Sequence, residues 1–172
     1  MTEQSPAPIP EPGNQSGSTA PRVFLVVIDD TEEWRAALHF ACRRAQHTRG
    51  RVALLTVIEP TEFQHFGAVE EIMRQEARQE AEKLLQRVAK DVNVLTGTMP
   101  ILYIREGARR DELVRLINEE PMISILVLGA NPGKDGPGPL VQYLIGKRIG
   151  SLRIPVTLVP GSLSREEIDV LG

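Results

Sequence analysis

Five short apolar runs punctuate the chain: Val23 to Ile28, Val52 to Ile58, Pro100 to Ile104, Ile123 to Leu128 and Pro155 to Val159. Each is too short for a core helix and rich in β-branched residues, so each predicts a strand buried on both faces. Between them the apolar positions recur at helical spacing. Trp34, Ala37, Leu38, Ala41, Cys42 and Ala45 predict a helix that ends near Gly50. Ile72, Ala77, Leu84, Leu85, Val88 and Val92 predict a long one over about 69–94, and Leu113, Val114, Leu116 and Ile117 a third over about 109–120. A fourth follows Leu140 and runs through Gln142 to Arg148. Strand and helix alternate throughout, which predicts an α/β fold: one open parallel five-stranded sheet with helices on both faces, a three-layer sandwich.

Turn residues sharpen the boundaries. Thr31 is a candidate cap for the first helix, with Glu32 and Glu33 in its first turn. Residues 61–67, which include Phe63, His65 and Phe66, read as a loop. At the far end Ser164 and Glu167 form a capping-box pattern ahead of a short helix, whose apolar face would be Leu163, Ile168 and Leu171. That segment either packs on its own domain or a dimer mate, or serves a protein partner. Residues 1–20, with Pro6, Pro8, Pro10 and Pro12 before a Gly/Ser/Asn/Gln stretch, are expected to be a disordered tail. The chain therefore divides into a tail (1–20), one domain (21–160) and a C-terminal tail (161–172).

Composition narrows the function. A net charge of -3 and no basic stripe argue against nucleic acid as the main partner. No apolar run is long enough to span a bilayer, and residues 1–20 lack a signal-peptide pattern. A single cysteine, Cys42, leaves no internal disulfide, and on its helix's apolar side it reads as a buried structural thiol. These features predict a cytoplasmic protein. His39, His47 and His65 share no ligand spacing, so no metal site is expected. No Ser/His/Asp or Cys/His set and no carboxylate pair is recognisable, and no catalytic residue is expected beyond slow, incidental nucleotide hydrolysis.

Two strand ends carry unusual chemistry. Asp29-Asp30 follows the first strand, and a loop with Gly129, Gly133, Gly136 and Gly138, interrupted by Pro132, Pro137 and Pro139, follows the fourth. Strand, glycine-rich loop and helix in that order can present backbone amides to an anion. The loop is not a Walker loop, since Asp135 follows Gly133-Lys134 and Leu128 stands where an earlier glycine is needed. Glu106-Gly107 is a strand-to-helix turn that could border the same crevice.

Val26-Val-Ile-Asp29, Leu55 to Pro60, Ile104-Arg-Glu-Gly107 with Glu112-Leu-Val114, Ile125 to Gly129 and Ile154 to Val159, in this order over about residues 22–160, resemble the universal stress protein family. The resemblance implies strand order 3-2-1-4-5, so that Asp29 and the Gly129 loop share a crevice, and a homodimer through the last strand. It also implies a site for ATP, with Mg, in many members. Their loop reads Gly, two residues, Gly, nine residues, Gly, then Ser or Thr, while Asp29 matches the acid and Val57 the adenine-contacting position.

Two registers of the loop stand open. In spacing, Gly133, Gly136 and Gly146 fit, with Lys147 in place of the hydroxyl residue. Anchored on Gly129 and Pro155-Val156, the later positions become Pro132, Gln142 and Tyr143, and proline offers no N–H to a phosphate. Two functions remain accordingly. One is a stress-response or regulatory module that acts through protein contacts, with a degenerate nucleotide site. The other is an ATP or adenine-nucleotide sensor using Asp29, Val57, Gly129, Gly133, Gly136, Gly146 and Lys147.

Overall fold

The structure is a computed structural model that describes residues 20–60 and 67–172. The tail expected over 1–20 and the loop expected over 61–67, with Phe63, His65 and Phe66, lie essentially outside the described residues. The elements run β1 (Val23–Val27), α1 (Trp34–Thr48), β2 (Arg51–Ile58), α2 (Gly67–Thr96), β3 (Ile101–Glu106), α3 (Arg109–Glu119), β4 (Ile123–Ala130), α4 (Pro139–Tyr143), β5 (Val156–Pro160) and α5 (Arg165–Leu171). Leu144–Arg148 continue α4 as a π-helical turn. All four strand pairings are parallel and the order is β3-β2-β1-β4-β5, the order implied by the resemblance.

Burial explains the pattern. All five residues of β1 are buried, as are Val52 to Val57 of β2, because helices cover both faces of the sheet. On one face Phe24, Val26 and Leu54 pack against Ala41, Cys42, Leu85, Val88 and Ile168 of α1, α2 and α5. On the other, Leu25, Leu55 and Leu126 pack against Leu113, Leu116, Ile117, Val141 and Leu144 of α3 and the α4 region. α2 outruns this core. Residues 67–80 are exposed apart from half-buried Ala77, and the first α2 residue to reach the core is Ala81.

Three local expectations are corrected. α1 begins at Trp34 with Glu33 before it and no side-chain cap, so Thr31 does not cap it and Glu32 and Glu33 stand outside its first turn. Thr31 instead donates its backbone N–H and its hydroxyl to Asp29 Oδ1, at 3.0 and 2.6 Å, a local turn that competes with helix formation. α4 starts at Pro139, with proline at the first helical position where its missing N–H is harmless. The capping box at Ser164 and Glu167 forms, and Leu163 and Ile168 turn into the core. Leu171 does not, with 60% of its surface exposed. α5 is further tied to α1 by Asp169, which meets His39 Nε2 at 2.8 Å and Arg43 Nε at 3.2 Å.

Candidate functional site

Strand order reverses between β1 and β4, the position at which sheets of this kind open a crevice beyond their carboxyl ends. A cavity of about 540 Å³ lies there. One wall is the β1 end, Val27 and Asp29 to Thr31. Another is Leu128, Gly129 and Asn131 of the β4 end, and a third is Pro137 to Val141 at the start of α4. Glu33, Trp34, Glu59, Arg109 and Arg110 complete it. A second groove of about 590 Å³ opens on the α2 side, lined among others by Thr56, Val57, Lys83, Arg87, Asp29 and Arg109.

Arg109, the first residue of α3, stands between the two. Its Nη1 is 3.5 Å from Asp29 Oδ2, and its Nη2 is 3.5 Å from Asp30 Oδ1 and 3.4 Å from Glu59 Oε2. Its backbone N–H donates to Glu59 Oε1 at 3.0 Å. One guanidinium thus gathers carboxylates from the ends of β1 and β2. Arg110 is held differently, over the ring of Tyr143 at 5.0 Å, while Arg148 donates to the Tyr143 hydroxyl at 3.0 Å.

The glycine-rich loop turns its hydrogen bonds inward. Gly133 N–H donates to Asn131 Oδ1 at 2.7 Å, and Asn131 N–H to the Pro137 carbonyl at 3.3 Å. Pro132, Pro137 and Pro139 have no N–H to offer. Gly129 has a packing reason of its own: a Cβ there would lie 2.2 Å from the Glu33 carbonyl oxygen, so the segment before α1 can approach β4 only at a glycine.

The structure therefore brings Asp29 and Gly129 to one cavity. Val57 is buried on the α3 face and borders the second groove. Gly133, Gly136, Gly146 and Lys147 line neither, and neither do Pro132, Gln142 and Tyr143. Gly146 lies within the π-helical turn. Glu106 is drawn away from the crevice by Arg74 Nε at 2.7 Å and Arg78 Nη1 at 3.1 Å, which hold its carboxyl below the usual range, the Arg74 hydrogen bond most of all. Pro137 to Val141 were named from sequence only as loop and helix-start residues, not as a wall, and the two arginines were missed. Gly138-Pro139 as a helix start was the available signal for the first; nothing local marks Arg109, which reaches Asp29 only through the fold.

For a triphosphate with Mg²⁺ the loop offers few free donors, since Asn131 takes up the Gly133 amide and Pro132, Pro137 and Pro139 have none. The lining carries carboxylates as well as the guanidinia of Arg109 and Arg110. His39 bonds Asp169, and His47 Nδ1 lies 2.9 Å from the Gly172 carbonyl oxygen. Burial pushes the Cys42 thiol up to about 12. No helix among the described residues is long and apolar enough to cross a membrane.

A family model described as the universal stress protein family matches residues 21–159. Universal stress protein UspA from Lactobacillus plantarum superposes with a TM-score of 0.67 at 18% identity, covering 80% of this chain and 97% of that one. A universal stress protein in complex with cAMP gives 0.57 at 15% identity over 84% and 100%. A universal stress protein family protein from Arabidopsis thaliana with AMP bound gives 0.55 at 14% identity over 81% and 92%. At these identities the solved structures speak for the fold. No curated protein matches the chain.

Proposed function

We infer a function from the premise that this chain belongs to the universal stress protein family: it is a stress-response module that works through protein contacts, and its nucleotide site is degenerate. The observation that carries this reading is the loop after β4. Its prolines remove donors, and Asn131 takes up the Gly133 amide. The family's way of holding phosphates is lost with them. The adjoining cleft keeps its shape, so it remains a remnant with room for a nucleoside. The first protein contact is a second copy of the chain, paired through β5, which is an edge strand with Leu158 exposed. The test is the thermal shift and calorimetry of purified protein with ATP·Mg, together with its mass in solution. No shift at millimolar ATP and a dimeric mass at micromolar concentration are expected. A tight ATP complex, or a monomeric mass, overturns the corresponding half.

A second reading, an adenine-nucleotide sensor, draws on the size of the cleft and on the relatives seen with AMP and cAMP. Asp29 and the start of α4 would then hold the ligand, and the Asp29→Ala variant would abolish its binding.

A further inference from the structure

We propose that the cleft selects its ligand by charge, taking an adenine compound of charge zero or minus one, such as adenosine or a cyclic phosphodiester, in preference to mono-, di- or triphosphates. This rests on the reading of the cleft as a remnant nucleoside site. The charged residues lining it are Asp29, Asp30, Glu33 and Glu59 against Arg109 and Arg110. The Glu33 side chain runs along Gly161, which leaves the carboxylates of Asp29, Asp30 and Glu59 to face two guanidinia. Neither arginine is idle. Arg109 lies 3.4–3.5 Å from all three of those carboxylates, and Arg110 lies over Tyr143. Lys134 and Lys147, the cations that the glycine-loop reading relied on, stand outside the lining.

The loop backbone adds little against this surplus, and the Leu140 and Val141 amides at the start of α4 are the remaining donors on the wall. Pro137 and Pro139 line the cavity without an N–H, and the Gly133 amide is spent on Asn131. Each phosphate charge brought in therefore meets a surplus of carboxylate, felt most at the enclosed Asp29 and screened by solvent at the exposed Asp30 and Glu59. The ribose and base bring no such charge. Asp29 can accept a hydroxyl proton on the oxygen that faces Arg109, since its other oxygen is already held by Thr31.

Calorimetry of the full chain with adenosine, cyclic AMP, AMP, ADP·Mg and ATP·Mg tests this. Adenosine and cyclic AMP are expected to bind at least about tenfold more tightly than ATP·Mg at low salt, and the gap is expected to narrow as screening increases. Asp30→Asn, at an exposed side chain, and Glu59→Gln are each expected to narrow it as well. Equal binding of all five compounds, or ATP·Mg binding most tightly, overturns charge selection and leaves the nucleoside site standing. So does a preference that neither salt nor the two variants change, since that marks a steric limit. Failure of all five to bind overturns the nucleoside site itself, and charge selection with it.

Discussion

Arg153 lies across the end of α3, its Nη2 2.6 Å from the carbonyl oxygen of Ile117. The same nitrogen reaches the carbonyls of Glu120 and Ile123, at 3.0 and 3.2 Å, and Nε returns to Ile117 at 3.2 Å. The last carbonyls of a helix have no partner within it, and a planar guanidinium can serve several at once. Arg153→Ala is expected to lower unfolding stability by about 1–3 kcal/mol, measured by urea denaturation, because the carbonyls lose a charged donor. Arg153→Lys should recover only part, since an ammonium cannot span the same fork. An unchanged midpoint in the alanine variant would remove the capping role.

Gly129 and Gly146, both named for the nucleotide reading, should behave oppositely. At Gly129 a Cβ meets backbone at 2.2 Å, and at Gly146 it meets nothing within 4 Å. Gly129→Ala is expected to cost about 1–3 kcal/mol, or to prevent folding. Gly146→Ala, inside a helical turn, should be neutral or stabilise by up to about 1 kcal/mol. Thermal denaturation of the pair decides it, and destabilisation at Gly146 would point to a role its surroundings do not explain.

Glu106 joins β3 to Arg74 and Arg78 of α2 and has its carboxyl pKa depressed, chiefly by the Arg74 hydrogen bond. A depressed folded value means that the contribution is full above the ordinary carboxylate value of about 4.3 and is lost as pH falls through the lower folded one. The acid limb of the stability curve should be shallower in Glu106→Gln than in the native chain, with urea midpoints compared from neutral pH downward. Parallel limbs would deny the linkage.

Cys42 lies on the buried face of α1, with its thiol pushed up to about 12. Its proton is held more tightly in the folded state than in the unfolded chain, so this part of stability is full below about 8.5 and declines as pH rises from there toward the folded value. The same burial should make alkylation near pH 8 slow in native protein and fast in urea, as mass spectrometry would read it. Rapid native labelling would mean that the helix opens far more often than its packing allows.

How much was legible follows from where each signal is written. β1 and β2 are buried on both faces, and continuous runs such as Val23 to Ile28 declare that without help from the rest of the chain. Strand order was accessible only through the family resemblance, because pairing joins residues far apart: Val26 lies beside both Leu54 and Val127. The cleft was half legible. Asp29 and Gly129 flank strand ends and could be named, whereas Arg109 looks like any surface arginine at a helix start until β1, β2 and α3 converge. Thr31 misled because one side chain can serve a helix cap or a tight turn, and its hydroxyl bonds back to Asp29.

The overhang of α2 has a practical consequence. Thirty residues of helix reach about 45 Å, while the eight-residue β2 it packs on reaches about 26 Å. A fluorophore or an affinity tag placed at Val69 or Ile72, both more than half exposed, would ride on the solvent side of that overhang and leave the Arg74–Glu106 pair in place. It would report the orientation of the whole domain without disturbing a single core contact.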